Sequence, residues 1–298
     1  MPKTLLVGFL LASGLLAPAA QEPKPAGVKV VKDVSYGPHA ERNLMDLYLP
    51  EGGSGPRPLI VCIHGGGWAG GDRGRYQWLG EAFAQKGFAA VSVTYRFAPK
   101  WRSPAAMEDV QRAVRWLRKN AAQYGIDPER VGAIGGSAGG HLASWLALGD
   151  AGDGGDADLA KFSSRVQCVV DCYGPVDLEG MMKSASAPIV EAFLGMPLAG
   201  NEEAYRKASP VSHVKAKPPP FLIVHGTMDV GTSRGQVPIE QSVAFQGKLK
   251  AAGGEAVLLK LEGAPHGFTH QGAGNKHAQA ALAAAVEFFT RHLSKPAK

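Results

Sequence analysis

The sequence predicts an α/β fold: one domain built on an open, mostly parallel sheet with helices on both faces. Three observations carry that expectation. Short apolar runs alternate with segments of helical period from about residue 59 to the C-terminus. One of these strands, at 131–134, runs into an apolar helix through Gly135-Gly136-Ser137-Ala138-Gly139-Gly140. The composition, 45% hydrophobic and 19% charged over 298 residues, suits a single large core with no second one in sight.

Taken in order, the chain begins with Lys3, an apolar run over 5–16 and Ala17-Pro18-Ala19, which together read as an export signal over 1–19. The run is too short to cross a bilayer as a helix. No cysteine follows it closely, so a lipid anchor is not expected. Residues 20–27, rich in Pro and Lys, read as a disordered lead-in to a domain over 28–298 that works outside the cytoplasm, secreted or periplasmic. No membrane span is expected after signal removal.

Strands are expected at 28–34 and 44–49, an antiparallel-looking start, followed by a Gly/Pro/Ser loop at 50–58. Residues 59–63 form a continuous apolar run, the mark of a strand covered on both faces. A helix at 76–85, closed by Gly87, precedes a strand at 88–94. Ser103-Pro104 opens a helix to about Tyr124, with Pro in the first turn. Its Val110, Val114 and Leu117 face the core, and Arg112, Arg115, Arg118 and Lys119 face water. The elbow helix runs over 141–148. The loop 149–159 carries Asp150, Asp153, Asp156 and Asp158, but their spacing departs from a calcium loop and reads as a solvated linker. After a strand at 166–173, residues 174–217 break into short helical pieces, read as a small cap over the sheet edge. A strand at 220–225, a helix at 238–252, a strand at 256–261 and an Ala-rich helix at 276–293 complete the chain.

Net charge is +6, with no long basic block, so nucleic acid is not an expected partner. The three cysteines, Cys62, Cys168 and Cys172, sit in apolar strands and read as buried thiols without a disulfide framework.

Chemistry concentrates at the predicted strand ends. A serine at a tight strand-to-helix turn needs small neighbours, and Ser137 has only Gly and Ala around it. A free hydroxyl is a poor nucleophile near neutral pH, so it needs a base, an acid to orient the base, and donors for an oxyanion. His266, in the small-residue loop after the last strand, is the candidate base. Asp229, after the strand at 220–225, is the candidate acid, with Asp177 and Glu240 as fallbacks. Gly66 and Gly67 of the triple-glycine loop and the Ala138 N–H are candidate oxyanion donors. Trp68 either walls a substrate pocket or packs that loop, and His64 pins it by hydrogen bonds. His141, inside the elbow helix, is not placed to reach Ser137. Arg96 and Asp109 read as an ion pair bracing the sheet. His266 and His270 make a poor metal pair, and no metal or cofactor is expected.

His64-Gly-Gly-Gly-Trp68, Gly70-Gly71-Asp72, Tyr95-Arg96-Phe97-Ala98-Pro99, Gly135-Gly-Ser-Ala-Gly-Gly-His141, Tyr173-Gly-Pro-Val-Asp177 and the segment from Pro219 to Gly226 together resemble the α/β-hydrolase esterases near the hormone-sensitive-lipase branch. The subgroup that includes bifunctional acetylxylan/feruloyl esterases is the most similar. The resemblance runs from about Val30 to the C-terminus and fits the chain order Ser137, Asp229, His266. It implies a cofactor-free serine esterase acting on short acyl esters of small molecules or carbohydrates. Two departures stand out. Gly136 stands where lipase-branch members usually have Asp, and residues 231–236 separate Asp229 from Val237-Pro238. Rival readings are an amidase or arylformamidase, a peptidase of the same fold, and a non-catalytic binding protein on a hydrolase scaffold.

Overall fold

Eight strands pair into one sheet among the residues described by the computed structural model, 27–52, 55–152 and 156–294. The export signal, the lead-in up to residue 26 and Asp153 lie outside those residues. The strands are β1 (Val28–Ser35), β2 (Leu44–Pro50), β3 (Arg57–Ile63), β4 (Ala89–Val93), β5 (Ile126–Gly136), β6 (Cys168–Cys172), β7 (Phe221–Gly226) and β8 (Ala256–Leu261). Their order is β1-β2-β4-β3-β5-β6-β7-β8. The β1–β2 and β2–β4 pairs are antiparallel and every later pair is parallel.

The helices are α1 (Gln77–Gln85), α2 (Ala105–Lys119), α3 (Ala138–Leu148), α4 (Leu178–Met181), α5 (Ala187–Leu194), α6 (Glu202–Ala208), α7 (Ile239–Ala251) and α8 (Lys276–Leu293). The period-2 alternation of a strand divides the core into two layers. Leu59, Val61 and Ile63 of β3 face a layer built with Val110, Val114, Leu142, Leu146, Phe245 and Leu249 from α2, α3 and α7. Ile60 and Cys62 face the opposite layer, with Leu79 and Phe83 of α1 and Phe288 and Phe289 of α8. A sheet covered on both sides is what the unbroken apolar runs predict. The three cysteines are buried and free.

Local differences from the sequence reading have identifiable causes. β5 extends through Gly135 and Gly136, poor strand formers, because β3 and β6 supply partners: Ile63 is opposite Gly135, and Cys172 opposite Gly136. α3 starts at Ala138, three residues earlier than its apolar period suggests. Arg115 and Arg118 do not face water. They are buried: in the segment after α3, Arg115 donates to the Gly152 carbonyl and Arg118 to the Ser163 and Arg165 carbonyls, and Arg118 also donates to the Pro128 carbonyl at the start of β5. Guanidinium donors satisfy carbonyls that an irregular segment leaves without ladder partners. In the acidic loop, Asp156 pairs with Arg112 and Asp158 with Lys161.

Residues 174–217 form α4, α5, α6 and a 3-10 turn at Pro210–His213, with no strand. Phe193 of α5 stacks on Trp68 at 4.3 Å between ring centroids, which brings this segment against the loop after β3. The end of β4 is tied to α2 by an ion pair. Arg96 donates from Nε to Asp109 Oδ1 at 2.9 Å and from its backbone N–H to Oδ2 at 2.8 Å, and it reaches Glu108 at 2.8 Å. Asp109 is 1% exposed, and removing its carboxylate leaves a half-buried guanidinium with Glu108 in place of two acidic partners. Asp109→Ala is expected to destabilise the fold by about 2–4 kcal/mol, read as a lowered denaturation midpoint. Asp109→Asn should recover part of that loss.

Candidate active site

Ser137 stands between β5 and α3 with φ 58° and ψ −126°, a backbone that L-residues rarely adopt. Its neighbours are small because the space is already occupied. A Cβ on Gly135 would lie 2.1 Å from the Gly139 carbonyl oxygen, and one on Gly139 2.0 Å from that of Ile63. One on Gly140 would lie 2.3 Å from Asp171 Oδ1. Gly136, the departure from the lipase-branch pattern, has the same explanation. A side chain there would meet the hydroxyls of Tyr76, Tyr173 and Thr269 at 2.6–2.8 Å. The Thr269 hydroxyl bonds both tyrosine hydroxyls.

The strand ends bring together three residues distant in sequence. His266 Nε2 lies 2.9 Å from Ser137 Oγ, and His266 Nδ1 lies 2.6 Å from Asp229 Oδ2. Asp229 is fully buried, and its other oxygen accepts from the Val237 N–H at 2.9 Å. Burial works against its charge, but hydrogen bonds from His225 and His266 outweigh it and hold the carboxyl below the usual range. The segment 231–236 leaves this geometry in place, because the chain returns to Asp229 at Val237. Asp177 instead caps α4 by accepting from the Gly180 N–H, and Glu240 lines an outer groove.

The loop after β3 approaches Ser137 from the other side. Gly66, Gly67 and Trp68 all have positive φ, 127°, 59° and 56°. Gly67 and Ala138 border the pocket beside Ser137, whereas Gly66 packs behind them, close to the Gly70 carbonyl. His64 Nδ1 lies 2.7 Å from the Gly65 carbonyl and its ring stacks on Tyr95. His270 Nε2 accepts from the Gly65 N–H at 3.2 Å. His141 points away from the serine: its Nδ1 accepts from the Trp68 indole at 3.2 Å, and its Nε2 donates to the Ala208 carbonyl at 2.8 Å.

The family model BD-FAE matches residues 45–249 of this chain. The chain belongs to the BD-FAE family. It has the α/β-hydrolase fold. It is 33% identical over 264 residues to Esterase LipQ of Mycobacterium tuberculosis, covering 86% of this chain and 62% of LipQ, so it spans under two thirds of that relative's length. Among solved structures it is similar to a truncated carbohydrate esterase from gut microbiota (TM-score 0.79, 26% identity, 92% of this chain and 99% of that one). It is also similar to the propionate-bound esterase Est2 of Thermogutta terrifontis (TM-score 0.73, 30% identity, 92% and 97%).

In this BD-FAE chain Ser137 opens onto a narrow apolar pocket lined by Gly67, Trp68, Met181, Ile189, Val190 and Val237, with Gly235 and Gln236 at its wall. A Cβ on Gly67 would lie 2.9 Å from Ile189 Cγ2, so α5 closes directly on the glycine loop. The wall is latched from both sides: Ser186 Oγ donates to the Gln236 carbonyl at 2.7 Å and accepts from the Gly235 N–H at 3.0 Å. Sequence reasoning missed Ser186, His225 and His270. Ser186 and His270 act through contacts about 50 and 205 residues away, and His225 through the return of the chain at Val237 and Ser242, which its own neighbourhood does not mark.

Burial depresses His64, His141 and His270 to about 4 each, against an ordinary value of 6.5. Between about pH 6.5 and 4 the unfolded chain therefore binds more protons than the folded one. The stability these residues contribute is complete above that window and is lost as pH falls through it. Asp171 opposes them, since burial raises it to about 6 and the folded state gains a proton there first. Three groups outweigh one. The melting temperature is expected to fall by on the order of 5–10 °C between pH 7 and pH 4.5, and a flat profile in a thermal-denaturation series would contradict this account.

Proposed function

We propose that this chain is a serine carboxylic-ester hydrolase for short acyl esters, acting through an acyl-enzyme. The observation that carries the proposal is the unbroken row Ser137 Oγ, His266, Asp229 opening onto the apolar pocket. His266 takes the serine proton as Oγ attacks the ester carbonyl, and Asp229 holds the ring with Nδ1 protonated and stabilises the imidazolium that forms. The Gly67 and Ala138 N–H groups, with Gly66 behind them, serve the oxyanion. His266 then protonates the leaving alcohol, and water repeats the cycle on the acyl-enzyme.

The acyl half is proposed to be short because Trp68, Ile189 and Val190 close the pocket and the Ser186 latch fixes its wall. The likeness to a carbohydrate esterase supports an acylated sugar, acetyl or feruloyl, as substrate. The likeness to a propionate-bound esterase supports a small acid. Residues 1–19 are proposed to direct export. N-terminal sequencing of the exported protein should begin near Ala20, and a retained Met1 would refute that.

Hydrolysis of p-nitrophenyl esters from acetate to laurate tests the main reading. Activity should be greatest from acetate to butyrate and at least about tenfold lower at octanoate. Ser137→Ala should lower kcat by about 10⁴–10⁶-fold with the fold unchanged. A folded chain inert to every ester would overturn the esterase reading in favour of an amidase or a binding protein.

A further inference from the structure

Asp229 has a second histidine. His225, in β7 four residues before the acid, is fully buried. Its Nδ1 lies 2.6 Å from Ser242 Oγ of α7, and its Nε2 lies 3.0 Å from the Val237 carbonyl oxygen and 3.2 Å from Asp229 Oδ2. A carbonyl and a carboxylate only accept, so the Nε2 position carries a proton, and the Ser242 hydroxyl is the matching donor to Nδ1. The carboxylate oxygen that His225 reaches is the one that also receives His266 Nδ1. The Val237 carbonyl and N–H are both used, the first by His225 and the second by Asp229 Oδ1. One ring therefore ties the acid, the return of the 231–236 segment and α7 into a single unit.

We propose that His225 is a positioning residue for the triad, holding Asp229 in plane and sharing its Oδ2 with His266. The inference rests on the reading of Asp229 as the triad acid. A carboxylate oxygen that accepts two N–H groups is a weaker base than one that serves His266 alone. With the His225 donor gone, Asp229 holds the protonated form of His266 more tightly. Because the reaction needs His266 free to take a proton, the acid limb of kcat/KM moves to higher pH. The other groups facing His225 stay in place. Asp171 of β6 bears on the ring electrostatically, Tyr173 stands edge-on at 6.4 Å, and Ser242 and Val237 are uncharged. His270 is placed to influence His266 and does not touch His225.

The pH dependence of p-nitrophenyl acetate hydrolysis should be compared for the wild type, His225→Gln and His225→Leu. Glutamine places an amide N–H near the Nε2 position, whereas leucine removes the donor. For His225→Leu we expect an acid limb displaced upward by about half a unit or more and kcat lowered about tenfold with KM within about twofold. For His225→Gln we expect most of both to be restored. A folded leucine variant with the wild-type profile would overturn the proposal, as would equal losses and no displacement in both variants. Should leucine fail to fold, ¹⁵N-histidine NMR of the wild type decides: a proton on Nε2 of His225 supports the proposal and a proton on Nδ1 alone overturns it. A wild type inert to esters would count against the esterase reading, while the NMR result would still judge His225.

Discussion

The structure depends on one steric constraint, the close approach of the α3 N-terminus to the end of β3. Gly139 lies so near the Ile63 carbonyl that no side chain fits between them, and Gly135 lies equally close to Gly139. This contact forces the chain to turn within one residue, and Ser137 takes the turn with φ 58°. A left-handed serine is unfavourable in isolation. It persists because the surrounding elements leave the backbone no other course. Its N–H bonds the Cys172 carbonyl at the end of β6, and its carbonyl receives the His141 N–H of α3. Both strands that flank β5 thus take part in aiming the hydroxyl.

Around that turn the fully buried His141 and His225 each connect polar groups on two sides. His141 joins the Trp68 indole to the Ala208 carbonyl at the end of α6, the partly buried His270 holds the Gly65 N–H, and His225 joins Asp229 to α7. A buried imidazole presents one donor and one acceptor at fixed positions, so it satisfies a carbonyl and an N–H or hydroxyl that would otherwise be stranded. Burial also makes His141 and His270 hard to protonate. Precision near neutral pH and fragility in acid therefore have one physical origin.

Legibility in the sequence followed the range of the interaction. The elbow, the triple-glycine loop and the strand–helix alternation are local patterns, and each was readable because a steric or periodic rule acts over a few residues. Ser137, Asp229 and His266 were nominated by their places after strands, and the structure brings those three together although 129 positions separate the serine from the histidine. Errors arose where a local rule was overridden from afar. Gly135 and Gly136 pair as strand because β3 and β6 flank them, and Arg115 and Arg118 are buried because a later segment covers α2. Neither cause lies within one turn of the residue affected.

The same argument explains why the chemistry of the site is easier to read than its selectivity. The reacting groups need special backbone, and special backbone leaves a signature in Gly and Ala. The pocket needs only apolar surface at the right distance, and any of many side chains supplies that. Its walls here come from Gly67 and Trp68, from the segment carrying α4 and α5, and from residues 235–237, the last two joined by Ser186 to Gly235 and Gln236 across about fifty residues. A serine at the start of a short helix carries no mark of that partnership. The reach of the acyl pocket is therefore set by a contact with no local signature, while the nucleophile is set by one that has little else.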